Sequence, residues 1–72
     1  MKINEKRYKI NKDFGIVCET YSDYYNVKVI QFGLPFELPL EEVEKIRTSE
    51  EANNVFRSLL AKYKKITIDF MP

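Results

Sequence analysis

Three groups of side chains in this sequence are of types that can do chemistry: a single cysteine, a cluster of glutamates, and tyrosines that lie near lysines and arginines. Cys18 could act as a nucleophile if a neighbouring base or cation lowered the pKa of its thiol. The chain has no histidine, so Cys–His and Ser–His–Asp sites are impossible. Because cysteine is among the residue types most often buried, we expect Cys18 to be a core residue.

The glutamate cluster, Glu41, Glu42 and Glu44, could bind a hard cation through carboxylate oxygens. It lacks the ligand spacing and the glycine of an EF-hand loop. On a helix, Glu41 would point about 100° away from Glu42, so the carboxylates would not converge. We therefore expect a solvated acidic surface and no bound metal.

The two glycines, Gly15 and Gly33, do not form a phosphate-binding loop. Since the sequence also shows no catalytic constellation for acid–base or metal chemistry, we expect no catalytic residues, no cofactor and no small-molecule substrate. The chain is thus predicted not to be an enzyme.

The tyrosines Tyr8, Tyr21, Tyr24 and Tyr25 suggest a different chemistry, because aromatic rings beside basic side chains can stack on the bases of single-stranded nucleic acid. Both ends of the chain are basic, whereas residues 37–51 are acidic. The net charge is only +1, and no RNP, KH or zinc motif is present. A weak RNA-binding or single-stranded DNA-binding protein is therefore the alternative hypothesis.

The clearest secondary-structure signal is a helix from Thr48 to Lys65. Thr48 and Glu51 have the spacing of a capping box, in which each side chain binds a free backbone N–H of the other residue. The apolar residues follow the i, i+3, i+4 spacing of one helix face: Ala52, Val55, Phe56, Leu59, Leu60 and Tyr63.

A shorter helix is predicted over residues 39–47. Pro39 suits its first turn, and Leu40, Val43 and Ile46 would form its inner face. Strands are predicted at 7–10, 16–21, 26–32 and 66–70. The sequence therefore predicts one α+β domain, residues 1–72, in the order β-β-β-α-α-β. A small antiparallel sheet, made of a three-stranded N-terminal meander and a C-terminal strand, would pack on one main helix.

One helix can cover one face of this sheet, but the central strands have apolar side chains on both faces. The side facing the helix is predicted to carry Tyr8, Ile10, Ile16, Cys18, Val27, Val29, Ile66, Ile68 and Phe70. The opposite side would show Val17, Tyr21, Ile30 and Phe32 among charged residues. An apolar patch ringed by charges is typical of an interaction surface.

The segment 33–40 has two interpretations. Leu34, Phe36, Leu38 and Leu40 alternate, and the prolines at 35 and 39 restrict pairing to one edge of the segment. The segment either closes the core of the domain or is a docking strip for another chain.

The leading functional hypothesis is a protein-binding module, a small regulator, inhibitor or accessory subunit that blocks a larger protein by steric occlusion. A homodimer through the same sheet face would bury the apolar residues equally well. This size and composition are common among phage and mobile-element proteins that block a host factor by occlusion, and this association suggests a phage or mobile-element origin. The predicted partner-binding residues are Arg7, Lys9, Tyr21, Ile30, Phe32, Phe36, Glu37 and Glu41.

The unpaired cysteine fits a reducing compartment, and the sequence has no signal-peptide pattern or membrane span. We therefore expect a cytoplasmic protein without membrane contact. The same hypothesis predicts that Ile30→Asp abolishes partner or dimer binding and leaves the monomer folded.

Overall fold

The structure, a computed structural model, describes residues 1–33 and 36–65. In chain order these residues form the strands β1 (Lys2–Lys9), β2 (Phe14–Tyr21), β3 (Tyr25–Gln31) and β4 (Leu38–Ile46), and the helix α1 (Ser49–Lys65). The strands make one sheet in the order β1-β2-β3-β4, and all three pairings are antiparallel. The α+β class and the antiparallel meander of the first three strands are confirmed. The strand predicted at 66–70 lies outside the described residues.

Helix α1 agrees closely with its prediction. The backbone N–H of Glu51 donates a hydrogen bond of 3.1 Å to Thr48 Oγ1, so Thr48 caps the helix as the sequence indicates. Acidic residues lie in the first turn and lysines in the last, which complements the helix dipole. Leu59 and Tyr63 are the buried residues of the helix.

The short helix predicted over 39–47 is wrong, since residues 38–46 form strand β4. Two β-bulges explain the misleading spacing. Leu40 is an extra residue between the partners of Val29 and Ile30. A second extra residue separates Val43 from Ile46, so that both can point toward the helix although they are three positions apart.

The second bulge has a specific local geometry. Lys45 adopts a positive φ of 58°, which is uncommon for a residue with a side chain. Its backbone N–H donates to the Oδ1 of Asn26 at 2.9 Å, and Asn26 is itself buried. The side chain of Asn26 therefore satisfies a backbone group that the bulge removes from the regular ladder.

The core lies between α1 and one face of the sheet. Val27 and Val29 of β3 and Ile16 of β2 are at most 1% exposed. Ile10 and Cys18 are partly buried against this core, and the ring of Tyr8 lies 4.8 Å from the ring of Phe56. The predicted helix-facing set is therefore confirmed for its described members. The buried residues of the core cluster are Phe14, Ile16, Val27, Val29, Ile46, Leu59 and Tyr63.

Candidate protein-binding surface

The sheet face that points away from the helix, here called the far face, is already covered by its own chain. Val17 and Ile30 lie on this face, and they are only 1% and 4% exposed. The ring of Phe32 lies against Gly15, where an added Cβ atom would be 2.7 Å from Phe32 Cζ. A side chain at position 15 would force the ring of Phe32 to move, because the ring occupies the space of the added Cβ atom. Ile30, predicted as an exposed partner anchor, is thus buried in the monomer.

An ion pair fixes the connection between β3 and β4 to the far face. Arg7 donates from Nη1 and Nη2 to the two carboxylate oxygens of Glu37, at 3.0 and 2.9 Å. It also donates from Nε to Glu5 at 3.1 Å. The guanidinium lowers the pKa of Glu37 through these hydrogen bonds. Arg7 and Glu37, both predicted to contact a partner, are hydrogen-bonded to each other within the chain.

The predicted tyrosine platform is divided among different parts of the molecule. Tyr21 and Tyr24 stack on each other at the β2–β3 turn, with ring centres 4.7 Å apart and planes inclined by 14°. Tyr8 packs on Phe56, and Tyr25 is partly buried against the core. The four rings therefore do not form one continuous stacking surface beside the basic ends of the chain.

One row of exposed apolar side chains lies on β4 and directly before it. Phe36 is 76% exposed, Leu38 57%, Leu40 40% and Val43 37%. We call these four residues the β4 strip. Within the described residues, β4 pairs only with β3 and forms an edge of the sheet. Alternation in segment 33–40 pointed to Phe36, Leu38 and Leu40, whereas Val43 was missed because the sequence placed it inside a helix.

A three-residue contact fastens β4 to the helix. The hydroxyl of Tyr63 donates to Glu41 Oε2 at 2.6 Å, and Lys62 Nζ lies 2.9 Å from the same oxygen. These hydrogen bonds lower the pKa of Glu41, with Tyr63 as the larger cause, and the carboxylate raises the pKa of Tyr63 to about 12. Glu41, predicted to bind a partner, therefore positions the strand that carries the β4 strip.

Five charged side chains on the two outer strands make no ion pair with another described residue. Glu42, Glu44 and Lys45 lie on β4, and Lys6 and Lys9 lie on β1. All five are exposed. Strand β4 thus carries two carboxylates and one lysine that no described residue pairs, and Lys9, a predicted partner-binding residue, lies exposed at the end of β1.

A groove of about 200 Å³ separates β1 from the start of α1. Cys18 lies in its wall, where burial raises the pKa of the thiol and so disfavours the reactive thiolate. Within residues 1–33 and 36–65, no group of three acidic or cysteine side chains is placed to hold a metal ion. In the same part of the chain, no helix has the length and apolar character needed to cross a membrane.

Comparison of the chain with protein-family models, curated proteins and solved structures finds no match.

Proposed function

We propose that this chain is a non-enzymatic protein-binding module that acts by covering a surface of a larger protein in the cytoplasm, with the β4 strip as its contact surface. The observation that carries this proposal is the row of exposed apolar side chains along β4, from Phe36 to Val43. Apolar surface of this kind, bordered by charges, is typical of protein contacts.

The apolar residues of the β4 strip could form the core of an interface, and the charged residues of β4 could form its rim. Phe36 and Leu38 are the most exposed apolar members, so they would lose the most contact with water when covered by a partner. Glu42 and Glu44 lie further along β4, and neither makes an ion pair with a described residue. A partner surface with an apolar depression and basic residues around it would complement both features.

Binding would rely on side chains more than on an added strand. Pro39 lies in β4 and lacks a backbone N–H, and two bulges interrupt the regular ladder of the strand. These are features by which proteins protect sheet edges from pairing with other chains. Insertion of Phe36 and Leu38 into a partner depression avoids this restriction.

The far face has a supporting role in this proposal. Phe32 and the Arg7–Glu37 ion pair hold the connection that leads into the strip, and the Glu41–Tyr63 hydrogen bond holds the strand itself. Four of the predicted partner-binding residues thus set the geometry of the contact surface. Phe36 is the predicted partner-binding residue that we retain as a direct anchor.

The test is affinity capture from a lysate of the source cells, followed by titration of the captured protein against purified variants. Leu38→Ser should weaken the complex at least tenfold, since apolar anchors at the centre of an interface contribute more than about 1.4 kcal/mol. Ile3→Ser is the matched control, because Ile3 is also an exposed aliphatic residue on an outer strand, 67% exposed. It should leave binding unchanged.

The proposal fails if no protein is captured in saturable amounts, or if Leu38→Ser and Ile3→Ser have equal effects on a captured protein. Both substitutions are at exposed positions, so circular dichroism should show the same folded spectrum for wild type and both variants.

A further inference from the structure

The exposed large apolar side chains among the described residues fall into two groups, one at each edge of the sheet. The first group lies on or directly before β1, and the second is the β4 strip. The members are Met1, Ile3 and Tyr8 at one edge and Phe36, Leu38, Leu40 and Val43 at the other. The molecule therefore has two half-apolar edges, and no described residue pairs with the outer side of either strand.

The two edges carry opposite charge. Strand β1 has four basic residues, Lys2, Lys6, Arg7 and Lys9, and one acidic residue, Glu5. Strand β4 has three acidic residues, Glu41, Glu42 and Glu44, and one basic residue, Lys45. The near-zero net charge of the chain thus arises from segregated charges and not from an even mixture.

We propose that the β4 edge of one copy of this chain binds the β1 edge of a second copy. Pairing of two β1 edges would bring lysines together, and pairing of two β4 edges would bring glutamates together. Like charges disfavour both of these symmetric contacts, whereas the head-to-tail contact places basic residues opposite acidic ones. It also covers apolar side chains on both sides.

The dimensions of the two strands fit this arrangement. Strand β1 has 8 residues and β4 has 9, so each edge is about 26–30 Å long. In a meander the first and fourth strands run in opposite directions. A second copy in the same orientation therefore places its β1 antiparallel to β4 of the first copy.

A head-to-tail contact leaves one β1 edge and one β4 edge free at the ends of every assembly. The assemblies therefore grow longer as the protein concentration rises, and they do not stop at a dimer. Pro39 and the bulges limit the backbone hydrogen bonds available along β4, so side-chain charge carries much of the contact. The assembly should accordingly be weak and sensitive to salt.

This inference goes beyond the proposed function, because it requires the β1 edge, whereas capture of a larger protein needs only the β4 strip. Reversal of the charge on β1 therefore distinguishes self-association from the binding of a larger protein. It should abolish self-association and leave the binding of a larger protein intact.

The experiment is sedimentation equilibrium from 10 µM to 1 mM protein, in about 20 mM and about 500 mM salt, where the screening length falls severalfold. At low salt the weight-average mass of the wild type should rise with concentration above the monomer value of 8.6 kDa. At high salt it should return toward that value.

Two charge-reversal variants test the surfaces. Lys6→Glu/Lys9→Glu makes both edges acidic, and Glu42→Lys/Glu44→Lys makes both edges basic, so each variant should remain monomeric on its own. An equimolar mixture restores opposite charge at every contact and should regain the mass of the wild type. The four substituted residues are exposed and make no ion pair with a described residue, so both variants should retain the folded circular dichroism spectrum.

The matched control is Lys64→Glu/Lys65→Glu at the end of α1, which changes the net charge of the chain as much as the β1 variant does. It should associate like the wild type. The proposal is overturned if the wild type stays monomeric at 1 mM in low salt. It is also overturned if this control loses association to the same extent as the β1 variant, or if an equimolar mixture of the two edge variants has the mass of a monomer.

Discussion

Removal of the Tyr63 hydroxyl tests how the edge strand is held against the helix. The Tyr63→Phe substitution keeps the buried ring, which is 8% exposed and lies 5.4 Å from the ring of Phe14. It removes only the hydrogen bond to Glu41. The variant therefore isolates one polar contact between α1 and β4.

The size of the effect follows from the geometry. A hydrogen bond to a charged group contributes about 1.5–3 kcal/mol. The side chain of Glu41 is 35% exposed, so water replaces part of the lost contact. Lys62 stays 2.9 Å from the carboxylate and keeps it partnered. We expect a loss of about 1 kcal/mol, which lowers the melting temperature of a domain of this size by about 4–8 °C.

The effect should depend on pH in a direction set by the pKa shifts. The pKa of Glu41 is lowered in the folded state from its ordinary value of 4.5. Its ionised form therefore stabilises the fold above pH 4.5, and this stabilisation is lost as the pH falls through the folded pKa. The pKa of Tyr63 is raised from 10.0 to about 12, so its contribution is complete below pH 10 and lost between pH 10 and 12.

The assay is thermal unfolding followed by circular dichroism from pH 7 down to pH 2. Tyr63→Phe should melt below the wild type at pH 7, and the difference should narrow as Glu41 becomes protonated. Tyr8→Phe is the control, since the Tyr8 hydroxyl donates to no described residue and the side chain is 44% exposed. Equal melting of Tyr63→Phe and wild type at pH 7, or a difference that is constant down to pH 2, would refute the assigned role of this contact.

Two further predictions concern stability. Ile30→Asp places a carboxylate at a position that is 4% exposed, so it should lower the free energy of unfolding in urea by about 3–5 kcal/mol. Phe36→Asp, at a position that is 76% exposed, should change this free energy by less than about 0.5 kcal/mol. Similar unfolding midpoints for the two variants would show that the far face is open. Thr48→Ala removes the acceptor for the Glu51 N–H and should lower the free energy of unfolding by about 1 kcal/mol. Thr48→Ser keeps a hydroxyl and should retain most of this stability. Identical unfolding midpoints for the alanine and serine variants would contradict the capping role.

The helix and the inner face of the sheet could be predicted because their signals are local and regular. Thr48 caps α1 where the capping-box spacing places it, and the alternation of β2 and β3 identifies Ile16, Val27 and Val29 as core residues. Each of these signals depends on residues within two turns of helix or one strand. No knowledge of the tertiary structure is needed to interpret them.

Strand β4 could not be predicted in the same way, because its bulges change the side-chain period from two to three. Val43 and Ile46 therefore have the spacing of a helix although they lie in a strand. The sequence alone does not show that Asn26, 19 residues earlier, accepts a hydrogen bond from Lys45 in the second bulge. This contact depends on the strand pairing itself.

The coverage of the far face also depends on contacts that are distant in sequence. Arg7 and Glu37 are 30 positions apart, and both are charged residues of a kind common at the rim of an interface. The apolar excess at Val17 and Ile30 was identified correctly, but the sequence could not decide whether a partner or the chain itself covers it. In the structure, the ring of Phe32 lies close to the backbone of Gly15, so the chain itself covers this part of the far face.

The order of the strands has a consequence for how the molecule assembles from an unfolded chain. Each strand pairs with its immediate neighbour in the chain, and the turns between β1, β2 and β3 are short. Loop closure for such hairpins costs little entropy, and proteins dominated by local pairing fold faster than β-proteins with distant pairings. We therefore expect the hairpins to form before the helix docks onto the sheet, because their pairings are the most local contacts of the sheet.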